Sequence, residues 1–206
     1  MSHSAELRAR FGEIDIYLFD QLLKGRFDAV STVLDAGCGS GRNLVFFFRN
    51  GFEVYAADRE AGAVERVRAL AAQLAPQAPP ERIRHAAVEE LPFGDAAMDA
   101  VLSSAVLHFA DDEGHFEAML REMWRVLRPG GIFVARLASR IGVERWVEPL
   151  RGRRHRLPDG SERFLVDEHF LAAHAGRLGA VPLDPLKTTI VQELRAMTTW
   201  VLRKPR

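Results

Sequence analysis

The sequence has a single cysteine, Cys38, among its 206 residues, and it has no apolar run long enough to span a bilayer. A lone cysteine excludes an intrachain disulfide and is typical of proteins of the reducing cytosol. The N-terminal stretch MSHSAELRARFGEID also lacks the apolar core of a secretion signal. We therefore expect a cytoplasmic location and no membrane partner.

An excess of either charge is also missing, because 28 lysine and arginine residues balance 28 aspartate and glutamate residues. Proteins that bind nucleic acid or anionic membranes through bulk charge have a positive excess, so no DNA partner is expected. The sequence is 48% hydrophobic and shows no internal repeat. A chain of this length and composition can bury a full core, and we predict a single domain over residues 1–206.

Short apolar stretches alternate with stretches of helical periodicity. Predicted strands cover residues 30–34, 53–57, 83–88, 100–103 and 132–137. Predicted helices cover residues 14–23, 42–50, 61–75, 112–127 and 166–178. Such alternation forms right-handed βαβ units and a parallel sheet. Two further strands, at 186–191 and 197–202, have a short connection and must pair antiparallel. The prediction is an α/β fold with a parallel sheet closed by a C-terminal hairpin.

The motif VLDAGCGSGRN, at residues 33–43, follows the first predicted strand and has glycines at 37, 39 and 41. In an open α/β sheet, ligands bind beyond the carboxyl ends of the strands. Glycine lets a ligand touch the backbone, and the next helix N-terminus offers free N–H groups to an anion. Asp58 ends the second strand 21 residues after Gly37, where an acid can bind ribose hydroxyls. The pattern therefore predicts a ligand with a ribose and an anionic group.

Two common nucleotide motifs are absent from this turn. Position 42 is arginine, which breaks the dinucleotide pattern GxGxxG and disfavours a nicotinamide oxidoreductase, and no GxxxxGK phosphate loop is present. The alternative is a glycine-rich turn without a ligand. Cys38 is interpreted as a small residue between glycines, with a nucleophilic role as the alternative.

Four blocks in order over about residues 33–137 carry a family resemblance: VLDAGCGSGRN, VYAADRE, EELPFGDAAMDAVLSSAVLHF and LREMWRVLRPGGIFV. Together they resemble the class I S-adenosylmethionine-dependent methyltransferases. The resemblance implies a doubly wound, mostly parallel seven-stranded Rossmann-like sheet with an antiparallel C-terminal hairpin. The first block is similar to the tellurite-resistance-type branch and the last to quinone-biosynthesis C-methyltransferases. These branches use different acceptors, so neither defines a substrate.

The resemblance implies S-adenosylmethionine as the cofactor and assigns residues to it. Asp35 and the backbone of Gly37, Cys38 and Gly39 would hold the methionine part, Asp58 the ribose and Arg59 the adenine. Gly41 and Ser104 belong to the same implied cofactor set. In the family, the loop after the third strand often reads Gly-Asp-Ala-Glu-Glu-Leu-Pro-Phe, and its aspartate reaches the adenine amine. Here that position is Ala87, so backbone groups at Val88, or Glu89, would serve instead.

The acceptor is expected to be a small molecule that takes the methyl group directly. The fourth strand ends in Ser103-Ser104-Ala105 and lacks the Asn/Asp-Pro-Pro-aromatic stretch of enzymes that methylate nucleic-acid amines. The alternatives are a nonenzymatic S-adenosylmethionine-binding module and a methyltransferase of RNA or protein. His108 is the candidate general base, with a loop-bracing role as the alternative. The other histidines share no spacing, so no metal site is predicted.

The flanking segments are predicted to cover the cofactor-binding core at 30–137. Residues 1–29 form an N-terminal helical cap, whose Tyr17 reaches the cofactor or packs in the core. Residues 138–165 form an acceptor-side insertion, and residues 166–206 form the C-terminal helix and hairpin. The insertion contains Arg151, Arg153, Arg154 and Arg156 and a turn at Pro158-Asp159-Gly160. These arginines attract an anionic acceptor or an RNA backbone, or they form a solvated surface.

Overall fold

The structure is a computed structural model that describes residues 2–206; Met1, within the predicted 1–29 cap, lies outside the described residues. The strands are β1 (Thr32–Ala36), β2 (Glu53–Asp58), β3 (Ile83–His85), β4 (Met98–Ser104), β5 (Leu127–Ser139), β6 (Glu148–Arg151), β7 (Arg154–Arg156), β8 (Glu162–Phe164), β9 (Val181–Pro182), β10 (Lys187–Val191) and β11 (Arg195–Arg203). The α-helices are α1 (His3–Phe11), α2 (Ile16–Leu23), α3 (Val45–Arg49), α4 (Ala61–Leu74), α5 (Glu113–Val126) and α6 (Glu168–Arg177), with 3-10 helices at Pro80–Arg82 and Leu107–Phe109.

The central sheet follows the order β10-β11-β5-β4-β1-β2-β3. Strands β1 to β5 pair parallel, whereas β11 pairs antiparallel with β5 and β10. The mostly parallel sheet with an antiparallel C-terminal hairpin is thus confirmed. The short strand β9, which was not predicted, pairs with β11 as an eighth strand.

Helices cover both faces of the sheet, which explains why the central strands are apolar almost throughout. One face packs against α5 and α6, and the other against α2, α3 and α4. Helix α5 buries Phe116, Met119, Leu120 and Met123, the spacing of a single helical face. This arrangement brings the carboxyl ends of β1, β2 and β4 together at one edge.

Several element boundaries differ from the predictions for local reasons. Helix α2 begins at Ile16 because Asp15 is its N-cap, whose Oδ1 accepts the Tyr17 N–H at 2.9 Å. Strand β3 stops at His85, since its partner β2 ends opposite it at Asp58. Helix α1 was not predicted, because it buries none of its residues and so leaves no apolar periodicity.

The predicted insertion forms a second, three-stranded antiparallel sheet in the order β6-β7-β8. The predicted turn at Pro158-Asp159-Gly160 joins β7 to β8, and Gly160 adopts a φ of +80° there. Strand β8 packs against the 3-10 helix Leu107–Phe109. The insertion therefore lies beside the segment that follows β4.

Candidate active site

The turn after β1 places three glycines in the left-handed region, with φ of +83° at Gly37, +53° at Gly39 and +75° at Gly41. An added Cβ would lie 2.4 Å from Val106 Cγ2 at Gly37, and 3.0 Å from the side chains of Val67 and Leu70 at Gly41. At Gly39 the same atom would meet nothing within 4 Å. Two of the glycines thus permit close packing within the chain, whereas Gly39 faces open space.

A cavity of about 440 Å³ lies beside this turn, at the carboxyl ends of β1, β2 and β4. This volume is in the range of small-molecule sites. Eight of the predicted site residues line it: Gly37, Cys38, Gly39, Asp58, Arg59, Val88, Glu89 and Ser104. Asp35, Gly41 and His108 do not line it.

Asp58 joins the two loops that border the cavity. Its Oδ2 accepts the Gly39 N–H at 2.8 Å, and its Oδ1 accepts the Glu60 N–H at 2.9 Å. Because each carboxylate oxygen can accept more than one hydrogen bond, both oxygens keep acceptor capacity for a ligand. The carboxylate is only partly buried and faces the cavity beside the open backbone of Gly39.

Asp35, two residues before Gly37, is buried and has an unpaired acceptor. Its Oδ1 has no hydrogen-bond partner among the described residues. Burial raises the pKa of this carboxyl to about 7, the Arg42 charge opposes the rise, and the Asp58 charge adds to it. An unsatisfied buried carboxylate oxygen is uncommon and indicates a missing donor.

The comparisons with known proteins agree on one family. Residues 34–135 match the family described as a methyltransferase domain. A probable S-adenosylmethionine-dependent methyltransferase of Mycolicibacterium smegmatis is 35% identical over 109 residues, which cover 53% of this chain and 38% of that protein. The chain belongs to the class I S-adenosylmethionine-dependent methyltransferase family. The cofactor of this family is S-adenosylmethionine.

Further relatives of this methyltransferase-family chain support the same fold. A malonyl-[acyl-carrier protein] O-methyltransferase of Enterobacter lignolyticus is 27% identical over 80% of this chain and 61% of its own length. The PH0226 protein of Pyrococcus horikoshii superposes with a TM-score of 0.72 at 18% identity, over 100% of this chain and 92% of that one. A 1,6-didemethyltoxoflavin-N1-methyltransferase of Burkholderia thailandensis, with bound 1,6-didemethyltoxoflavin and S-adenosylhomocysteine, has a TM-score of 0.68 at 21% identity, over 98% and 87%. The chain spans 38% and 61% of the two curated relatives.

His108 is buried away from the cavity of the methyltransferase fold. Its Nδ1 accepts the Ala138 N–H at 3.2 Å, which ties the 3-10 helix Leu107–Phe109 to the end of β5. Burial, followed by the charges of Arg163 and Arg136, lowers the pKa of His108 to about 4. The geometry therefore favours the bracing role over the catalytic one.

His115 lines the cavity instead, although the sequence pattern did not single it out. Its Nδ1 accepts the Asp111 N–H at 3.2 Å, and its Nε2 lies 3.5 Å from Glu89 Oε1. One sequence signal could have identified His115 as a site residue, namely its position in the first turn of α5. Asp112 caps that helix by accepting the His115 N–H at 2.9 Å. Helix starts near strand ends lie at the ligand edge of such sheets.

Cys38 has a buried side chain although it borders the cavity. Burial raises the pKa of its thiol far above the usual range, and the charges of Asp35 and Asp58 raise it further. The thiol is therefore protonated and unreactive at neutral pH, which favours the small-residue interpretation. Within residues 2–206, no three His, Cys, Asp or Glu side chains are grouped to hold a metal ion.

The N-terminal cap is fixed to the same edge of the sheet through Asp15. Its Oδ2 accepts from Arg136 at 2.9 Å, and its backbone N–H donates to Asn43 Oδ1 at 3.0 Å. Tyr17 bonds to Thr189 and lies under the guanidinium of Arg136, 5.0 Å from the ring centroid. Tyr17 thus packs from α2 against the C-terminal hairpin and does not line the cavity.

Proposed function

We propose that the protein transfers a methyl group from S-adenosylmethionine directly to a small-molecule acceptor. The observation that carries this proposal is the cavity in which the open backbone of Gly39 lies beside the Asp58 carboxylate. Those two groups are joined by a 2.8 Å hydrogen bond at the carboxyl ends of β1 and β2. The Asp58 carboxylate can accept hydrogen bonds from ribose hydroxyls, and the missing side chain at Gly39 leaves space for such a ligand against the turn.

The residues around the cavity fit the parts of the cofactor. Asp58 has acceptor capacity on both oxygens for the two ribose hydroxyls. The turn at Gly37–Gly39 suits the methionine end. Asp35 does not line the cavity, so an ordered water would supply the missing donor to its unpaired Oδ1 and link it to the ammonium group. Gly41 shapes this turn from outside the cavity by admitting the side chains of Val67 and Leu70.

The adenine end is assigned to the opposite side of the cavity. Arg59, Val88 and Glu89 line it there, close to position 87, where alanine offers no side-chain acceptor. Ser104, the last residue of β4, also lines the cavity, and its Oγ accepts a hydrogen bond from Arg42 Nη2 at 3.1 Å. The adenine contacts would therefore come from Val88 backbone groups or the Glu89 side chain.

The bound cofactor supplies an electrophilic methyl group on a sulfonium. The protein contributes alignment of the acceptor with that group, and a well-oriented pair gains ~7–11 kcal/mol over reactants free in solution. Val106, Phe109 and Met119 give this side of the cavity an apolar lining, which a bound acceptor would cover and so shield from water. His108 is not proposed as a general base, because it does not line the cavity.

A small acceptor is supported by two observations. The cavity is lined by acidic, basic and apolar side chains rather than by a long basic groove, and a structural neighbour is named as a methyltransferase of the small molecule 1,6-didemethyltoxoflavin. No helix within residues 2–206 has both the length and the apolarity to cross a membrane. A cytoplasmic location and a single-domain organisation, with the boundaries given above, remain predictions.

Methyl-labelled S-adenosylmethionine tests the proposal when it is incubated with the protein and a cell extract. The extract is separated by dialysis into small molecules and macromolecules. We expect label in the dialysable pool, and much less label when Asp58→Ala replaces the wild type at a limiting concentration of S-adenosylmethionine. Label in RNA or protein would show that the acceptor class is wrong. Binding of S-adenosylhomocysteine without any transfer would identify a nonenzymatic cofactor-binding module instead.

A further inference from the structure

We propose that the acceptor is an anion with a flat apolar body, which stacks on Phe109 beside the guanidinium of Arg163. This proposal rests on the proposed methyltransferase function and specifies its substrate class. It makes Phe109 and Arg163 the residues that determine acceptor specificity.

Phe109 is an aromatic ring left exposed at the edge of the cavity. It ends the 3-10 helix Leu107–Phe109 after β4 and lines the cavity together with Ala105 and Val106. Its exposed fraction is 44%, and it is the one phenylalanine among the described residues that is largely exposed. A ring exposed in a cavity is a typical contact for an apolar or aromatic ligand.

Arg163 holds a positive charge over that ring. Its guanidinium carbon lies 4.9 Å from the ring centroid of Phe109, a cation–π contact that fixes both side chains. Arg163 Nη1 donates to the carbonyl of Glu162 at 2.8 Å, and within residues 2–206 no carboxylate lies at ion-pair distance from it. Most of its N–H donors are therefore available to an anion.

The predicted arginine run at residues 151–156 differs from Arg163, because ion pairs within the chain neutralise most of its positive charge. Arg153 pairs with Asp167 at 3.0 Å and with Glu113 at 3.3 Å, and Arg156 pairs with Glu148 and Glu162 at 3.0 and 3.1 Å.

Arg154 of the same run lies 3.6 Å from Glu162 and donates to the Ala110 carbonyl at 3.3 Å. Arg151 is exposed on β6. Arg163, a residue outside that run, instead places its positive charge over Phe109, which lines the cavity.

The other charged groups near the cavity are engaged, solvated or on the cofactor side. The Asp111 side chain, on the same loop as Phe109, is 82% exposed, so solvent and salt screen its charge. Arg42 donates to Ser104 beside the glycine turn, and Arg59 follows Asp58. An anion on the Phe109 side therefore meets Arg163 without an opposing carboxylate in direct contact.

Calorimetry with matched probes tests this proposal on protein saturated with S-adenosylhomocysteine. The probes are benzoate, phenyl phosphate and the neutral benzamide. We expect both anions to bind about tenfold more tightly than benzamide, since a hydrogen bond to a charged group is worth about one such factor or more. Arg163→Gln should remove the preference, whereas Phe109→Ala should weaken all three probes. Arg156→Gln, on the neighbouring strand, is the matched control and should change nothing.

The proposal is wrong if benzamide binds the wild type as tightly as the anions, or if Arg163→Gln keeps their preference. It is also wrong if neither Phe109→Ala nor the milder Phe109→Leu weakens the probes in a variant that melts normally. S-adenosylhomocysteine should bind all of these variants equally. Failure of the wild type to bind S-adenosylhomocysteine would instead contradict the proposed function itself.

Discussion

Replacing Gly37 with alanine is expected to lower the free energy of unfolding by roughly 2–6 kcal/mol. Two physical reasons add together. Gly37 has a φ of +83°, a conformation that strains any residue with a Cβ, and the new atom would lie 2.4 Å from Val106 Cγ2. The loop after β4, which contains Val106, would have to move away from the glycine turn.

Urea unfolding of three variants checks this prediction. Gly51→Ala is the control for strain alone, because Gly51 has a φ of +75° and no atom within 4 Å of the added Cβ. It should lose only about 1–2 kcal/mol. In a Gly37→Ala background, Val106→Ala should recover part of the loss, since it removes the methyl groups that clash. Equal losses for Gly37→Ala and Gly51→Ala would show that the contact with Val106 is unimportant.

Asp58→Ala is expected to have the largest effect on cofactor binding. A hydrogen bond to a charged acceptor contributes about 1.5–3 kcal/mol, so losing one ribose contact should weaken S-adenosylhomocysteine about 10- to 100-fold. The same carboxylate also holds the Gly39 N–H, so affinity alone does not separate a ribose contact from loop ordering.

The 2′-deoxy analogue of S-adenosylhomocysteine separates the two roles. The wild type should bind the natural compound more tightly than the analogue, and Asp58→Ala should bind both equally. Glu53→Ala removes the same charge from the other end of β2, where Glu53 pairs with Arg82 at 3.0 Å, and should keep the wild-type preference. If Asp58→Ala still distinguishes the two compounds, the carboxylate does not bind the ribose.

The parallel sheet and its ligand edge were predictable because they depend on periodic, local signals. Strands β1 and β2 are short and apolar; the glycine turn follows β1, and β2 ends at Asp58. Parallel strands bring such ends together, so Gly39 and Asp58 meet although 19 residues separate them. The direction of the C-terminal hairpin also followed from a short connection, which permits antiparallel pairing alone.

The position of His108 was not predictable in the same way. The sequence places His108 after β4, at the correct edge of the sheet. The direction of its side chain, however, depends on the backbone conformation between β4 and His108. Ala105 has a φ of +63°, and a 3-10 helix follows, which turns His108 toward β5. A residue count along the chain contains no information about that turn.

The insertion shows a second limit, which concerns long-range partners. Strands β6 to β8 are short and largely polar, so no periodicity distinguishes them from a loop. The arginine run resembled an anion site because its carboxylates lie elsewhere in the sequence. Arg153 finds its partner at Asp167, 14 residues away, and only the fold brings the two together.

The most direct test of the central claim, that the cavity beside Gly39 holds the cofactor, is calorimetric titration of S-adenosylhomocysteine into wild type, Gly39→Ala and Gly51→Ala. Both glycines have positive φ and open space around the added Cβ, but only Gly39 lines the cavity. The two variants should therefore lose similar stability. We expect Gly51→Ala to bind like the wild type and Gly39→Ala to bind at least about tenfold more weakly, because its methyl group enters the ligand space. Equal affinity in Gly39→Ala and Gly51→Ala would contradict the account.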